Sequence, residues 1–204
     1  MDIILNEAEA RVLGALIEKD MATPEYYPQS LNALTNACNQ KSNREPVVQY
    51  EESFVLSVIE SLRAKSLAGP ARAEGRVFKY EHYASNRLGL GNPQLAVIAV
   101  LLLRGPQTLA EIKERTHRLH AFDDLDAVLS CLHRMIERGI VKELPKQPGT
   151  KEPRFVHLLS GDVEAFVPPA KEASHDRIQR LEEEVAELKR DVAEMKIKID
   201  LLFG

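Results

Sequence analysis

Two short segments of this 204-residue chain gather side chains that bind phosphate. The first is Asn39-Gln40-Lys41-Ser42-Asn43-Arg44, followed further along by Arg72, Arg76 and Lys79. The second is Lys113, Arg115, His117, Arg118 and His120, followed by Lys146, Lys151 and Arg154. Lysine and arginine at these positions offer charge to phosphate oxygens, while Asn39, Gln40 and Asn43 carry the paired donor and acceptor that meets a base edge. An amide-rich turn also satisfies its own backbone, with solvated charges around it, so the same residues suit an ordinary loop equally well.

Other chemistry is harder to build from this inventory. Cys38 with the distant His82 makes a nominal thiol and base, but Cys38 shares a helical face with Leu31 and Leu34 and reads as a buried apolar group. His117 and His120 are spaced for one helical turn, yet no third ligand accompanies them. The sequence holds no glycine-rich phosphate loop and no serine elbow. The chain therefore reads as a binding protein rather than an enzyme, with no cofactor and no metal.

The elements that must position these residues come in two sets. Val55-Leu-Ser-Val-Ile-Glu-Ser-Leu-Arg-Ala-Lys-Ser-Leu-Ala68 aligns without gaps to Val128-Leu-Ser-Cys-Leu-His-Arg-Met-Ile-Glu-Arg-Gly-Ile-Val141. Each segment is an amphipathic helix running into a strand. Two shorter helices precede each copy, and a hairpin with an aromatic residue, Phe78 or Phe155, follows it. Asn6 with Glu9 marks the first helix start, whose face is Val12, Leu13, Leu16 and Ile17; Thr108 with Glu111 marks another. Asn92-Pro93 reads as an N-cap with proline in the first helical position. The third helices are expected to bury Phe54, Val55, Val58, Ile59 and Leu62 in one copy and Leu125, Val128, Leu129, Leu132 and Ile136 in the other. Glu74-Gly75 supplies the first hairpin turn, before a strand over Val77–Tyr80. The second hairpin has arms Ile140–Leu144 and Arg154–Leu159.

Helix, helix, helix, strand, strand, twice over, is the order of a winged helix-turn-helix. The expected fold is thus mainly α with small β-hairpins: two tandem winged-helix domains over residues 1–84 and 85–168, then a linker and coiled-coil helix over 169–204. In that last segment Ile178, Leu181, Val185, Leu188, Val192, Met195, Ile199 and Leu202 alternate at three and four residues, β-branched at one seam position and Leu or Met at the other. This choice favours a parallel two-stranded coiled coil. In that register Arg177 faces Glu182, Glu184 faces Lys189 and Asp191 faces Lys196, all opposite in sign, so a parallel homodimer is expected. The alternative is a terminal helix folded back onto its own domain.

The N-terminal residues also carry a resemblance. Leu5-Asn-Glu-Ala-Glu-Ala-Arg-Val-Leu-Gly-Ala-Leu-Ile-Glu-Lys19, Thr23-Pro24 and Tyr27-Pro-Gln-Ser-Leu-Asn-Ala-Leu-Thr-Asn-Ala-Cys-Asn-Gln-Lys-Ser-Asn-Arg-Glu-Pro-Val47 resemble the YceH-like family of uncharacterised bacterial proteins. The resemblance implies a tandem winged-helix fold with a C-terminal helical segment. It assigns no reaction and no site residue.

Charge decides how far a DNA reading can go. The formal net charge is −4, divided as −3 over residues 1–84, +1 over 85–168 and −2 over 169–204. Any phosphate-binding face must therefore be local. The helix starts that would enter a major groove carry Glu51 and Glu52 in one copy and Asp123, Asp124 and Asp126 in the other, which suits the helix dipole and repels phosphate. The expected partner is double-stranded DNA, met through Lys41, Asn43, Arg44, Arg76, Lys79, Lys113, Arg115, Arg118, Lys151 and Arg154; the alternative is a protein partner for an adaptor. The longest apolar run, the nine residues Leu95–Leu103, is too short to span a bilayer, and the N-terminus lacks signal-peptide character. A cytoplasmic protein with no membrane partner is expected.

Overall fold

The computed structural model describes residues 3–71, 78–146 and 152–162, all within one compact unit. Helix α1 (Glu7–Ala22) begins where the spacing of Asn6 and Glu9 predicts. The Glu9 N–H donates to Asn6 Oδ1 at 2.9 Å, and the Asn6 N–H donates to Glu9 Oε2 at 2.8 Å, so two otherwise orphaned donors are satisfied reciprocally. A 3-10 turn (Pro24–Tyr26) leads to β1 (Gln29–Ser30), α2 (Leu31–Cys38), α3 (Glu52–Ala64), β2 (Ala68–Pro70) and β3 (Lys79–His82). Strand β3 is central in an antiparallel sheet of order β1-β3-β2, with Gln29 opposite Tyr80 and Ala68 opposite His82.

A short α4 (Ala84–Leu88), stopped by Gly89 at φ 60°, joins this half to α5 (Asn92–Arg104), α6 (Leu109–Thr116), α7 (Leu125–Glu137), β4 (Val141–Leu144) and β5 (Arg154–His157). Strands β4 and β5 pair antiparallel, Val141 opposite His157. The chain is mainly helical with small antiparallel sheets, and among the described residues no helix is long and apolar enough to cross a membrane.

The internal repeat reaches further than the third helices. Pro28-Gln29-Ser30-Leu31 and Pro106-Gln107-Thr108-Leu109 do the same work in each half. Gln29 pairs with Tyr80 of β3, and Gln107 makes an isolated bridge with Phe155 of β5. Each glutamine is buried and donates its side-chain amide to the carbonyl three residues upstream, Tyr26 or Arg104. The next residue then caps a helix, Ser30 accepting from the Ala33 N–H and Thr108 from the Glu111 N–H. After the third helix, Ser66 at φ 58° and Gly139 at φ 66° make the same left-handed turn, returning the N–H of Leu67 or Ile140 to the carbonyl of Leu62 or Met135.

Between the halves, α1 lies on α5 at a distance that only glycine permits. A Cβ on Gly14 would come within 2.9 Å of Leu103 Cγ and 3.0 Å of Leu102 Cβ. The core is consequently continuous, running from Leu13, Leu16 and Ile17 through Ile98 and Leu101 to Ile59 on one side and Leu132 on the other. Each such fully buried side chain contributes roughly 1.5–3 kcal/mol.

Several local expectations need correction. Phe54 and Leu125 are each 44% exposed, because the core stripe of α3 is Val55, Val58, Ile59 and Leu62 and that of α7 is Val128, Cys131, Leu132 and Met135. Leu129 and Ile136 flank the α7 stripe half-buried. Helix α5 is capped by Gly91 rather than Asn92, with the Gly91 N–H donating to Gln94 Oε1 at 3.0 Å. The second strand of the first half runs two residues later than expected and leaves Phe78 exposed. The turn at Glu74-Gly75 and the whole seam, Ile178, Leu181, Val185, Leu188, Val192, Met195, Ile199 and Leu202, lie outside the described residues.

Candidate functional site

The α2–α3 connection and the end of α6 meet across a cleft of about 640 Å³. From the first half come Lys19 at the end of α1 and Lys41, Ser42 and Asn43 of the connection; from the second come Arg104, Arg115 and Arg118. The two basic segments that the sequence keeps far apart are thus partly united, through Lys41 and Asn43 on one wall and Arg115 and Arg118 on the other. Lys19 and Arg104 join them unforeseen. Each is the last-turn cation of its helix, a position that reads in sequence only as a dipole partner.

Arg44, expected beside Lys41 as a phosphate contact, faces the other way. Its side chain is fully buried. The guanidinium forks onto Glu18 at 3.1 and 2.6 Å and donates further to the Ala37 carbonyl at 3.0 and 2.9 Å and to Gln40 Oε1 at 2.9 Å. A cation desolvated and saturated in this way organises the loop and cannot reach a ligand. The geometry it imposes is visible at Asn43, which adopts φ 61° and accepts a hydrogen bond from Arg104 at its side-chain oxygen. That contact bridges the halves at the cleft wall.

Arg154 is likewise committed. It donates to Glu111 Oε2 and to the Pro106 carbonyl, both at 2.9 Å, tying β5 to the start of α6. Arg115 reaches the same carboxylate at 3.3 Å. Burial by itself would raise the Glu111 carboxyl, but the Thr108 N–H and the two guanidinium groups outweigh it and hold the pKa below the usual value. Lys113 lines a separate shallow depression with Asp123, Asp124 and Asp126. Lys79 is half-buried on β3, paired in register with Ser30. Arg76 and Lys151 lie outside the described residues.

Lys41 and Arg118 remain. Both are exposed, and neither has an ion-pair partner among the described residues. Deeper in, Arg104 is half-buried, and its pKa is lowered by burial and then by the like charges of Arg115 and Arg44. The carboxylates lining the cleft are Glu18, engaged by Arg44, and Glu114. This is a positive concavity whose internal repulsion an anion relieves.

The nominal thiol and base do not meet. Cys38 is buried in the core and burial pushes its thiol up to about 12, so it stays protonated at neutral pH. His82 instead places Nε2 3.1 Å from Asp20 Oδ2, while its Nδ1 accepts the Ala84 N–H at 3.3 Å. His120 packs edge-on against Phe122, with ring centroids 4.7 Å apart.

A mainly helical chain that joins two similar halves around a basic cleft is the class of protein this fold defines. Sequence comparison gives it a family. The family described as "Protein of unknown function, DUF480" matches residues 5–150. A UPF0502 protein of Pelobacter propionicus is 50% identical over 212 residues, covering 98% of this chain and 97% of its own. Another, from Solibacter usitatus, is 53% identical over 196 residues, covering 93% and 95%. The chain belongs to the DUF480 family.

Proposed function

We propose that this chain is a tandem winged-helix protein, works as a parallel homodimer and binds duplex DNA through the phosphate backbone, without catalysis. The winged-helix reading is supported by the order of three helices and two antiparallel strands in each half, with a short edge segment before the second helix. The dimer rests on the apolar seam from Ile178 to Leu202. Replacing Leu188 by Glu would bury unpaired charge there, and light scattering should then report half the mass; an unchanged mass refutes the coiled coil.

One observation carries the DNA reading: Lys41 and Arg118, from opposite halves, stand exposed on the same concave face with no ion-pair partner among the described residues. The starts of α3 and α7 are unsuited to the role, since Glu51, Glu52, Asp123, Asp124 and Asp126 are all exposed there. Affinity is thus expected to come from loop cations and to fall with salt. Each phosphate contact contributes about 0.9 to the slope of log affinity against log salt, so Lys41→Ala with Arg118→Ala should flatten it by about two. Tight binding indifferent to that pair overturns the assignment.

A second reading, a protein-binding adaptor, is favoured by Phe54 at the start of α3, which stays 44% exposed and packs edge-on against Tyr50. It predicts no measurable duplex affinity at about 50 mM salt. Phe54→Asp should then abolish partner capture, and DNA binding should be absent from the wild type.

A further inference from the structure

We propose that the cleft between the two halves is a binding site for a small phosphorylated ligand carrying at least two negative charges, held by Arg104, Arg115 and Lys19 within and by Lys41 and Arg118 at the exposed edge. The inference goes beyond DNA binding and does not depend on it. Its volume of about 640 Å³ lies within the range of roughly 300–1,000 Å³ that small-molecule sites occupy. A duplex presents its charges along an extended backbone, whereas these five cations line one concave cleft.

The charge balance favours a multivalent anion. Five cations share the lining with two carboxylates, and Glu18, one of those two, is already held bidentate by Arg44. Glu18 is shared between buried Arg44 and Lys19, which lies 3.8 Å away, and Arg115 pairs with Glu111 outside the lining, so Lys41, Arg104 and Arg118 are the cleft cations without an ion pair among the described residues. Arg104 is partly desolvated with Arg115 and Arg44 as like-charged neighbours, an arrangement that costs free energy until a counter-charge enters.

The remaining lining fits an organic phosphate better than a bare ion. Arginine forks donate to two phosphate oxygens at once, and Ser42 and Gln40 add neutral donors. Val100, Leu103 and Leu119 supply apolar wall for the carbon part of such a molecule. Asn43 is fixed in its left-handed conformation and bound by Arg104, so one wall is preorganised by the other half of the chain.

The test is isothermal titration of the full chain with pyrophosphate, against sodium chloride of matched ionic strength and without DNA. Saturable binding at one site per chain is expected, weakened about tenfold or more by Arg104→Gln and by Arg115→Gln, the loss of one charge-assisted contact. Lys142→Gln, which removes a cation paired with Asp162 on β4, should leave it unchanged. Circular dichroism checks each variant's fold, and Lys19→Gln replaces Arg104→Gln if the Asn43 contact proves necessary for folding. No saturable binding up to millimolar pyrophosphate, or equal binding by wild type and cleft variants, overturns the proposal. Saturable pyrophosphate binding by a chain that, in a separate titration, shows no affinity for duplex DNA would refute only the DNA reading.

Discussion

His82 and His157 occupy the same position in the two halves. Each ends the last strand of its half, opposite the first residue of the preceding strand, Ala68 or Val141, and those two residues match in the internal repeat. Their surroundings differ. His82 finds Asp20 at one nitrogen and the Ala84 N–H at the other, with the Tyr27 ring 6.0 Å away. His157 is buried, and among the described residues its Nδ1 has no hydrogen-bond partner. The repeated frame therefore fixes where a residue sits and leaves its chemistry to the neighbours contributed by connections outside the repeat.

The same contrast runs through the loops. Between α2 and α3 the first half spends thirteen residues, 39–51, and buries a cation in the turn; between α6 and α7 the second spends eight, 117–124, and leaves Arg118 outside. The aromatic residue of each hairpin diverges likewise, Phe78 being 78% exposed and Phe155 2%. Elements are shared because their cores impose one pattern, and surfaces differ because nothing in that pattern constrains them.

The strongest test of this comparison is the buried ion pair that only the first half possesses. Arg44→Ala would empty a fully buried site, strand the Ala37 carbonyl and leave Glu18 without its partner, at a cost of about 3–5 kcal/mol. Arg118→Ala, on the corresponding connection of the second half, should change stability by less than about 0.5 kcal/mol, as surface substitutions do. Denaturant unfolding of both variants measures the difference, and similar losses would mean that the connections are not specialised.

That division was only partly legible in the chain. The third helices, the caps at Asn6 and Thr108 and the helix-rich order could be read because each depends on spacing within a dozen or so residues. The burial of Arg44 could not, since a loop arginine reads as solvated and its partner Glu18 lies twenty-six residues earlier. The cleft was half legible: both basic segments stood out, but their meeting depends on α1 approaching α5 at Gly14, a glycine with no local signature. The Pro-Gln-Ser-Leu and Pro-Gln-Thr-Leu repeats were the missed signal, being too short for any periodicity yet marking where both edge segments join.

A smaller effect separates the two histidines. Burial lowers the His157 pKa from 6.5 to about 4. The unfolded chain takes up a proton near pH 6.5 that the folded chain refuses until about pH 4, so the contribution is complete above 6.5, declines through that window and is gone below it. At about 1.4 kcal/mol per pKa unit, the full loss is on the order of 3–4 kcal/mol. His157→Leu should remove this acid sensitivity, which unfolding midpoints from pH 7 to 4 would reveal; an unchanged pH profile would place the sensitivity elsewhere.

The finest comparison is between Ser66 and Gly139, which make the same left-handed turn after α3 and α7. A residue with a Cβ bears roughly 1 kcal/mol or more in that conformation, whereas glycine adopts it freely. Gly139 has nothing within 4 Å of the place where a Cβ would stand, so conformation alone determines the result there. Ser66→Gly should then stabilise the chain by about 0.5–1 kcal/mol, and Gly139→Ser should destabilise it by a similar amount, with the double exchange close to wild type. Glycine's larger loss of unfolded-state freedom reduces the first gain and enlarges neither. Thermal unfolding of the three variants decides the matter: opposite signs confirm that the two turns are equivalent, and a loss from both single changes would show that the Ser66 side chain makes a contribution which Gly139 has no counterpart for.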